Sequence, residues 1–294
     1  MRIGLQIPSF KYPDGTAGIR TKLKEIVTTA EASGFYSLWV MDHYYQIKGL
    51  FGEAYTDPML EAYTTLGYFA GLTEKTYLGV LVTGVIYRYP SVLMKMVNTL
   101  DILSGGRAYF GIGAAWYEEE AIGLGIPYPS TSERFELLEE NLKLAKALWA
   151  GDEISFKSKH ISAPAITNNP RPLSNPHPRI MIGGTGPNKT LRMVAQYADA
   201  CNIGDWIGAE NMQKALDTLK VHCESLKRDY DTIEKTSLCT VHLSGDDTVD
   251  SIIRRIKQLS EMGFSHAIFN MPDAFKITPL EIFAKEIIPI AADL

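Results

Sequence analysis

Four short stretches of this sequence combine residue types able to hold or transform a ligand. In Asp42-His43 an acid adjoins an imidazole, a pair that can orient a ligand, donate a hydrogen bond or exchange a proton near neutral pH. In isolation such a dipeptide is more often a loop cap beside an ordinary polar contact. Thr83-Gly84-Val85 carries a glycine that either admits a flat ligand or simply ends a strand. Gly111-Ile112-Gly113-Ala114-Ala115-Trp116-Tyr117 lets a ligand lie against backbone, with Trp116 or Tyr117 as a wall. The glutamates that follow, Glu118, Glu119 and Glu120, suit the positive end of a short helix rather than catalysis. Finally, Gly183-Gly184-Thr185-Gly186-Pro187-Asn188 clusters glycines before a helix, where exposed N–H groups cradle an anion. A structural turn is the plainer reading of that cluster. It is no Walker loop, because Asn188 stands where the second invariant glycine is required.

These stretches matter because of the elements that carry them. Short aliphatic runs predict strands at Arg2–Ile7, Ser37–Met41, Tyr77–Val82, Ala108–Ile112, Arg179–Ile182, Ala200–Ile203, Ser237–Leu243 and His266–Asn270. Longer amphipathic runs predict helices at Ile19–Ser33, Pro58–Leu72, Pro90–Ser104, Ser132–Trp149, Asn188–Tyr197, Ala209–Arg228, Thr248–Met262 and Pro279–Ala291. Phe135, Leu138, Leu142, Ala145 and Trp149 recur at helical spacing and predict a buried stripe. Gly34 and Gly263 fit C-caps, while Pro58, Pro90 and Pro279 fit first-turn positions. Eight strand–helix alternations without a break in composition point to an α/β fold, a (β/α)8 TIM barrel forming one domain over residues 1–294. A doubly wound open sheet is the alternative, but its usual glycine-rich first turn is here Pro8-Ser9-Phe10-Lys11-Tyr12-Pro13. In a barrel the four stretches all fall at the C-terminal ends of strands, where barrel enzymes place their active sites. Two segments break the rhythm, Tyr44–Asp57 and Gly151–Pro178. Both read as insertion loops at that face, with a flexible connector as the other reading of the proline-rich half.

Composition narrows the classes further. A chain of 294 residues with 46% hydrophobic and 21% charged residues is long enough to bury a core without metal or disulfide support. A net charge of −5 argues against nucleic-acid or membrane-surface partners. Cys201, Cys223 and Cys239 form no CxxC pair and read as reduced thiols of a cytoplasmic protein. The remaining histidines show no paired ligand spacing, so no metal site is expected, and no GxSxG elbow suggests a covalent hydrolase.

Trp39–His43, Leu100–Ala121, Leu124–Pro127, Glu133–Trp149 and Pro178–Asn202 together resemble luciferase-like oxidoreductases. The similarity spans essentially the whole chain and is nearest to the branch that uses coenzyme F420, a deazaflavin. It implies a barrel, usually a homodimer, that exchanges a hydride between the deazaflavin and a small organic substrate. It also implies that Asp42 and His43 lie beside the cofactor ring and are catalytic, with His43 handling the substrate proton. Gly84–Val85 would be a non-prolyl cis peptide supporting the ring. Gly113, Ala114, Ala115 and Trp116 would contact the cofactor, and Gly183, Gly184, Thr185 and Gly186 its phosphate. The proline-rich insertion would line the substrate mouth. Two other readings share the same residues: an FMN-dependent monooxygenase, and a flavin- or deazaflavin-binding protein without turnover.

Overall fold

The computed structural model describes residues 1–294. Strands β1 (Arg2–Ile7), β2 (Ser37–Val40), β3 (Tyr77–Val80), β4 (Thr83–Gly84) and β5 (Ala108–Gly113) are followed by an antiparallel hairpin, β6 (Glu153–Lys157) and β7 (Ser162–Thr167). The series is completed by β8 (Arg179–Gly183), β9 (Ala200–Gly204), β10 (Glu234–Thr240) and β11 (His266–Asn270). All the pairings except that of the hairpin are parallel. They close a ring in the order β1, β2, β3 with β4, β5, β8, β9, β10, β11 and back to β1. Because β3 and β4 are two halves of one stave, the result is the expected eight-stave barrel. Strands buried along their whole length, such as β2, β5, β9 and β11, explain the near-continuous apolar runs: both faces are covered.

Helices wrap the ring: α1 (Gly15–Ala32), α2 (Ala62–Ala70), α3 (Pro90–Leu103), α4 (Glu118–Gly123), α5 (Thr131–Ala150), α6 (Thr190–Tyr197), α7 (Ala209–Ser225) and α8 (Val249–Glu261). The last predicted helix is interrupted, running as α9 (Thr278–Ile282), a π-helical turn (Phe283–Ile287) and α10 (Ile288–Ala292). A core of 64 residues fills the space between strands and helices. A separate cluster of Trp39, Leu81, Tyr109, Met181, Ala200 and Ile268 packs apart from it. At the strand starts His266, Glu234, Ser37, Tyr109, Arg179 and Arg2 form one hydrogen-bonded floor.

Five expectations are corrected. The predicted stave Tyr77–Val82 breaks after Val80, and the non-prolyl cis peptide lies at Leu81–Val82, not Gly84–Val85. The seventh stave begins three residues before the predicted Ser237, because Glu234, Lys235 and Thr236 pair with Ala200, Cys201 and Asn202 despite their polarity. Pro58 is not in a first helical turn: α2 starts at Ala62, capped by the Glu61 carboxylate on the N–H groups of Tyr63 and Thr64. Of the two insertions, Tyr44–Asp57 does lie at the C-terminal face, but Gly151–Pro178 connects a helix to the next strand, so it leaves and returns at the opposite end. Its hairpin lies outside α3, where Tyr89 Oη donates to Ser162 O, and Leu173 and Ser174 N–H groups tie it to the Asp101 carboxylate. None of its residues lines the cavity described next.

Candidate active site

The C-terminal ends of the staves enclose a cavity of about 760 Å³. Its walls are Gln6 of β1, Asp42 and His43 after β2, and Val82 and Gly84 of the third stave. Gly113 to Trp116 after β5, Gly183 to Gly186 after β8, and Asn202, Thr240 and Asn270 at the last three strands complete it. The residues expected to be catalytic or to hold the cofactor therefore meet in one place except Val85, which is 3% exposed and packed into the main core; Tyr117, the other candidate wall beside Trp116, does not line the cavity. Val85 lies past the end of β4, in the turn that follows Gly84.

Asp42 is held tightly. Arg88 donates to both of its oxygens, at 2.8 and 2.9 Å, and the Gly84 N–H donates at 2.9 Å. Arg88 also donates to Glu61, so one buried guanidinium joins the loop after β2, the cap of α2 and the start of α3. Burial alone would lower the Arg88 pKa, but the hydrogen bonds and charge of Asp42 and Glu61 outweigh it and hold the guanidinium well above its ordinary value. Three hydrogen bonds thus tie the Asp42 carboxylate to the third stave and to the start of α3.

His43 sits differently. Its Nδ1 lies 3.1 Å from Glu120 Oε2, and the other Glu120 oxygen accepts the Tyr44 and Tyr45 N–H groups. Tyr87 Oη donates to Glu120 as well. Glu120 itself is wholly buried at 0% exposure, in the first turn of α4. Burial would raise its carboxyl pKa. The hydrogen bond and charge of His43, with the Tyr45 N–H and Tyr87, reverse that and hold it below its ordinary range. An ionised Glu120 requires Nδ1 of the neutral imidazole to carry the proton, so Nε2 is the basic nitrogen. Nε2 has no protein partner, and the ring lines the cavity, edge-on to Trp116 at 5.6 Å and Tyr117 at 5.8 Å.

The cavity floor fits a flat heterocycle with an anionic tail. A Cβ on Gly113 would stand 2.9 Å from the Val82 side chain and one on Gly183 3.2 Å, so backbone lines the cavity around Val82 where side chains would fill it. Gly184 has φ +112°, which a side chain rarely adopts, and Gly186 precedes α6, whose first turn has no side-chain cap. The Gly184 N–H is donated to Asn202 O at 3.1 Å, while the Thr185 and Gly186 N–H groups have no protein partner and are available to an anion. At the bottom, Gln6 Oε1 and Asn270 Oδ1 are buried cavity-lining acceptors without a protein partner. Two such orphans match the polar edge of a bound ring.

The sequence reading missed Gln6, Tyr87, Arg88, Glu120 and Asn270. Gln6 and Asn270 had a usable signal, since each is an amide at the C-terminal end of an otherwise apolar strand. Glu120 had a weaker one: it is the only one of three consecutive glutamates placed beside Ala121 on the buried face of α4.

A closed parallel barrel with a glycine-lined cavity and one oriented imidazole at its strand ends defines an α/β-barrel protein equipped to bind and transform a small molecule. The chain belongs to the luciferase-like monooxygenase family, whose model matches residues 1–270. It is 28% identical over 311 aligned positions to a protein of Beutenbergia cavernae named F420-dependent glucose-6-phosphate dehydrogenase, covering 88% of this chain and 90% of the other. Two solved structures share the fold. One is an F420-dependent secondary alcohol dehydrogenase in complex with an F420-acetone adduct (TM-score 0.80, 19% identity, 99% of each chain). The other is the coenzyme F420-dependent tetrahydromethanopterin reductase of Methanopyrus kandleri (TM-score 0.78, 17% identity, 98% of each chain).

Proposed function

We infer that this protein is an oxidoreductase that exchanges a hydride between coenzyme F420 and a small organic substrate, with His43 handling the accompanying proton. The observation that carries this reading is the meeting, in one cavity, of the Gly183–Gly186 cradle and an imidazole oriented by Glu120. The relatives named F420-dependent support the choice of cofactor.

When bound, a deazaflavin supplies hydride acceptance or donation at a ring carbon and reacts poorly with oxygen. The cradle N–H groups and the start of α6 would hold its phosphate. Gly113, Ala114, Ala115 and the Val82 side chain would support the ring, and the Gln6 and Asn270 amides would meet its polar edge. Glu120 fixes the His43 tautomer so that Nε2 takes a proton from a substrate hydroxyl, or an imidazolium returns one in reverse. Asp42, pinned by Arg88, keeps the His43 loop and Gly84 in register. Trp116 packs edge-on against the His43 ring. The same reading carries a homodimer in the cytoplasm, with residues 1–294 acting as one barrel domain.

The test is fluorescence titration of the purified protein with F420 and, separately, with FMN. Saturable F420 binding that is lost in Gly184→Val is expected. Saturable FMN binding without F420 binding would move the FMN-dependent monooxygenase to the front.

A further inference from the structure

Resting on the hydride-transfer reading, we propose that the substrate is electrically neutral and mostly apolar, a secondary alcohol or its ketone, and not a phosphate ester or carboxylate. No lysine or arginine lines the cavity. The only side chain there able to become cationic is His43, and its Nδ1 is committed to Glu120.

Three of the cations nearby are paired with acids; Lys48 and Lys189 are not, but neither lines the cavity. Arg88 is spent on Asp42 and Glu61. Lys11 pairs with Asp57 at 2.8 Å, and Arg255 faces Asp205 and Asp247. Lys189 donates to Ser132 Oγ at 3.3 Å and lies over the Phe135 ring. A substrate phosphate or carboxylate would lose its hydration without gaining a charged partner, which proteins rarely tolerate. The glycine cradle is the one anion-binding element, and the cofactor phosphate takes it.

The walls that remain are apolar. Ile47, Leu50, Phe51, Trp116, Phe135 and Trp206 surround the mouth. Three of them, Leu50, Trp116 and Trp206, stay 60–69% exposed, a concentration of large apolar surface that suits a ligand rather than solvent. The reaction balances with what the site holds. The carbinol C–H leaves as hydride to oxidised F420, the O–H proton passes to His43 Nε2, and the ketone remains. The name of the Beutenbergia cavernae relative implies a phosphate ester; no lysine or arginine lines this cavity to pair one.

Binding is read from tryptophan fluorescence, on F420-saturated protein and on the same protein without F420. The neutral probes are 2-propanol, 2-butanol, 2-pentanol and 2-hexanol; the anionic probes are glucose 6-phosphate and 3-hydroxybutyrate. Affinity is expected to rise about fourfold per added methylene along the neutral series, with no saturable response to either anion. A flat neutral series, or an anion that binds more tightly than 2-hexanol, would overturn the proposal. Failure to saturate with F420 counts against the cofactor reading instead; on the protein without F420 the cradle is open to any anion, so there the neutral series alone decides the substrate class.

Discussion

At the mouth of the barrel Glu120 Oε2 stands 3.1 Å from His43 Nδ1; at the floor Glu234 Oε1 stands 3.1 Å from His266 Nδ1. The two pairs are alike in chemistry and spacing, and they differ in what the second ring nitrogen meets. His266 Nε2 is 2.8 Å from Ser37 Oγ, which in turn accepts from Trp39 Nε1 at 2.7 Å. All three side chains are at 0% exposure. The floor therefore has a serine–histidine–glutamate order without access for a substrate, and its outcome is stability. At the mouth the corresponding nitrogen faces a cavity. On the proposed function, the open side of the imidazole is what lets His43 move a proton, and the carboxylate orients it.

The largest effect expected from breaking this contrast is on His43. His43→Asn should lower kcat by about 10²–10⁴-fold while leaving F420 affinity and Tm close to wild type, measured by steady-state deazaflavin absorbance and thermal melts.

The floor should respond in the opposite currency. Burial alone would raise the Glu234 carboxyl, but His266, Tyr109 and Arg2 outweigh it and pull its pKa down to about 2. A carboxyl depressed in the folded state contributes stability that is complete above its unfolded pKa, about 4.5, and is lost as pH falls through its folded value. Burial also lowers the His266 pKa, so protons favour the unfolded chain below about pH 6.5. Both groups make stability fall as pH drops from neutrality toward 2. Glu234→Gln should cost on the order of 3 kcal/mol at pH 7, about 5–10 °C in Tm, with a flatter stability–pH curve below 4.5 and unchanged kcat at 25 °C. A smaller loss, about 1–3 kcal/mol, is expected for Ser37→Ala, which strands the Trp39 indole N–H and His266 Nε2 without partners; denaturant melts check it.

The contrast also shows what a sequence displays. The staves were legible because a strand buried on both faces is a short continuous apolar run, and the glycine cradle because its residues are adjacent. Two kinds of feature were not. Glu120 and His43 are 77 positions apart and meet only because α4 folds back under the loop after β2. The end of the barrel reached by Gly151–Pro178 follows from connection type, helix to strand, rather than from its proline content. Locating the cis peptide three residues too late has a similar origin: Leu81–Val82 is apolar and looks like uninterrupted strand.

The decisive measurement compares Glu120→Gln and Glu234→Gln in one experiment, with F420-saturated protein, a temperature at which both remain folded, and single-turnover deazaflavin absorbance after mixing with a secondary alcohol that the wild type oxidises. The account predicts that Glu120→Gln slows the step at least tenfold at saturating alcohol while Glu234→Gln matches the wild type. Equal rates for all three proteins, or slowing confined to Glu234→Gln, would contradict it.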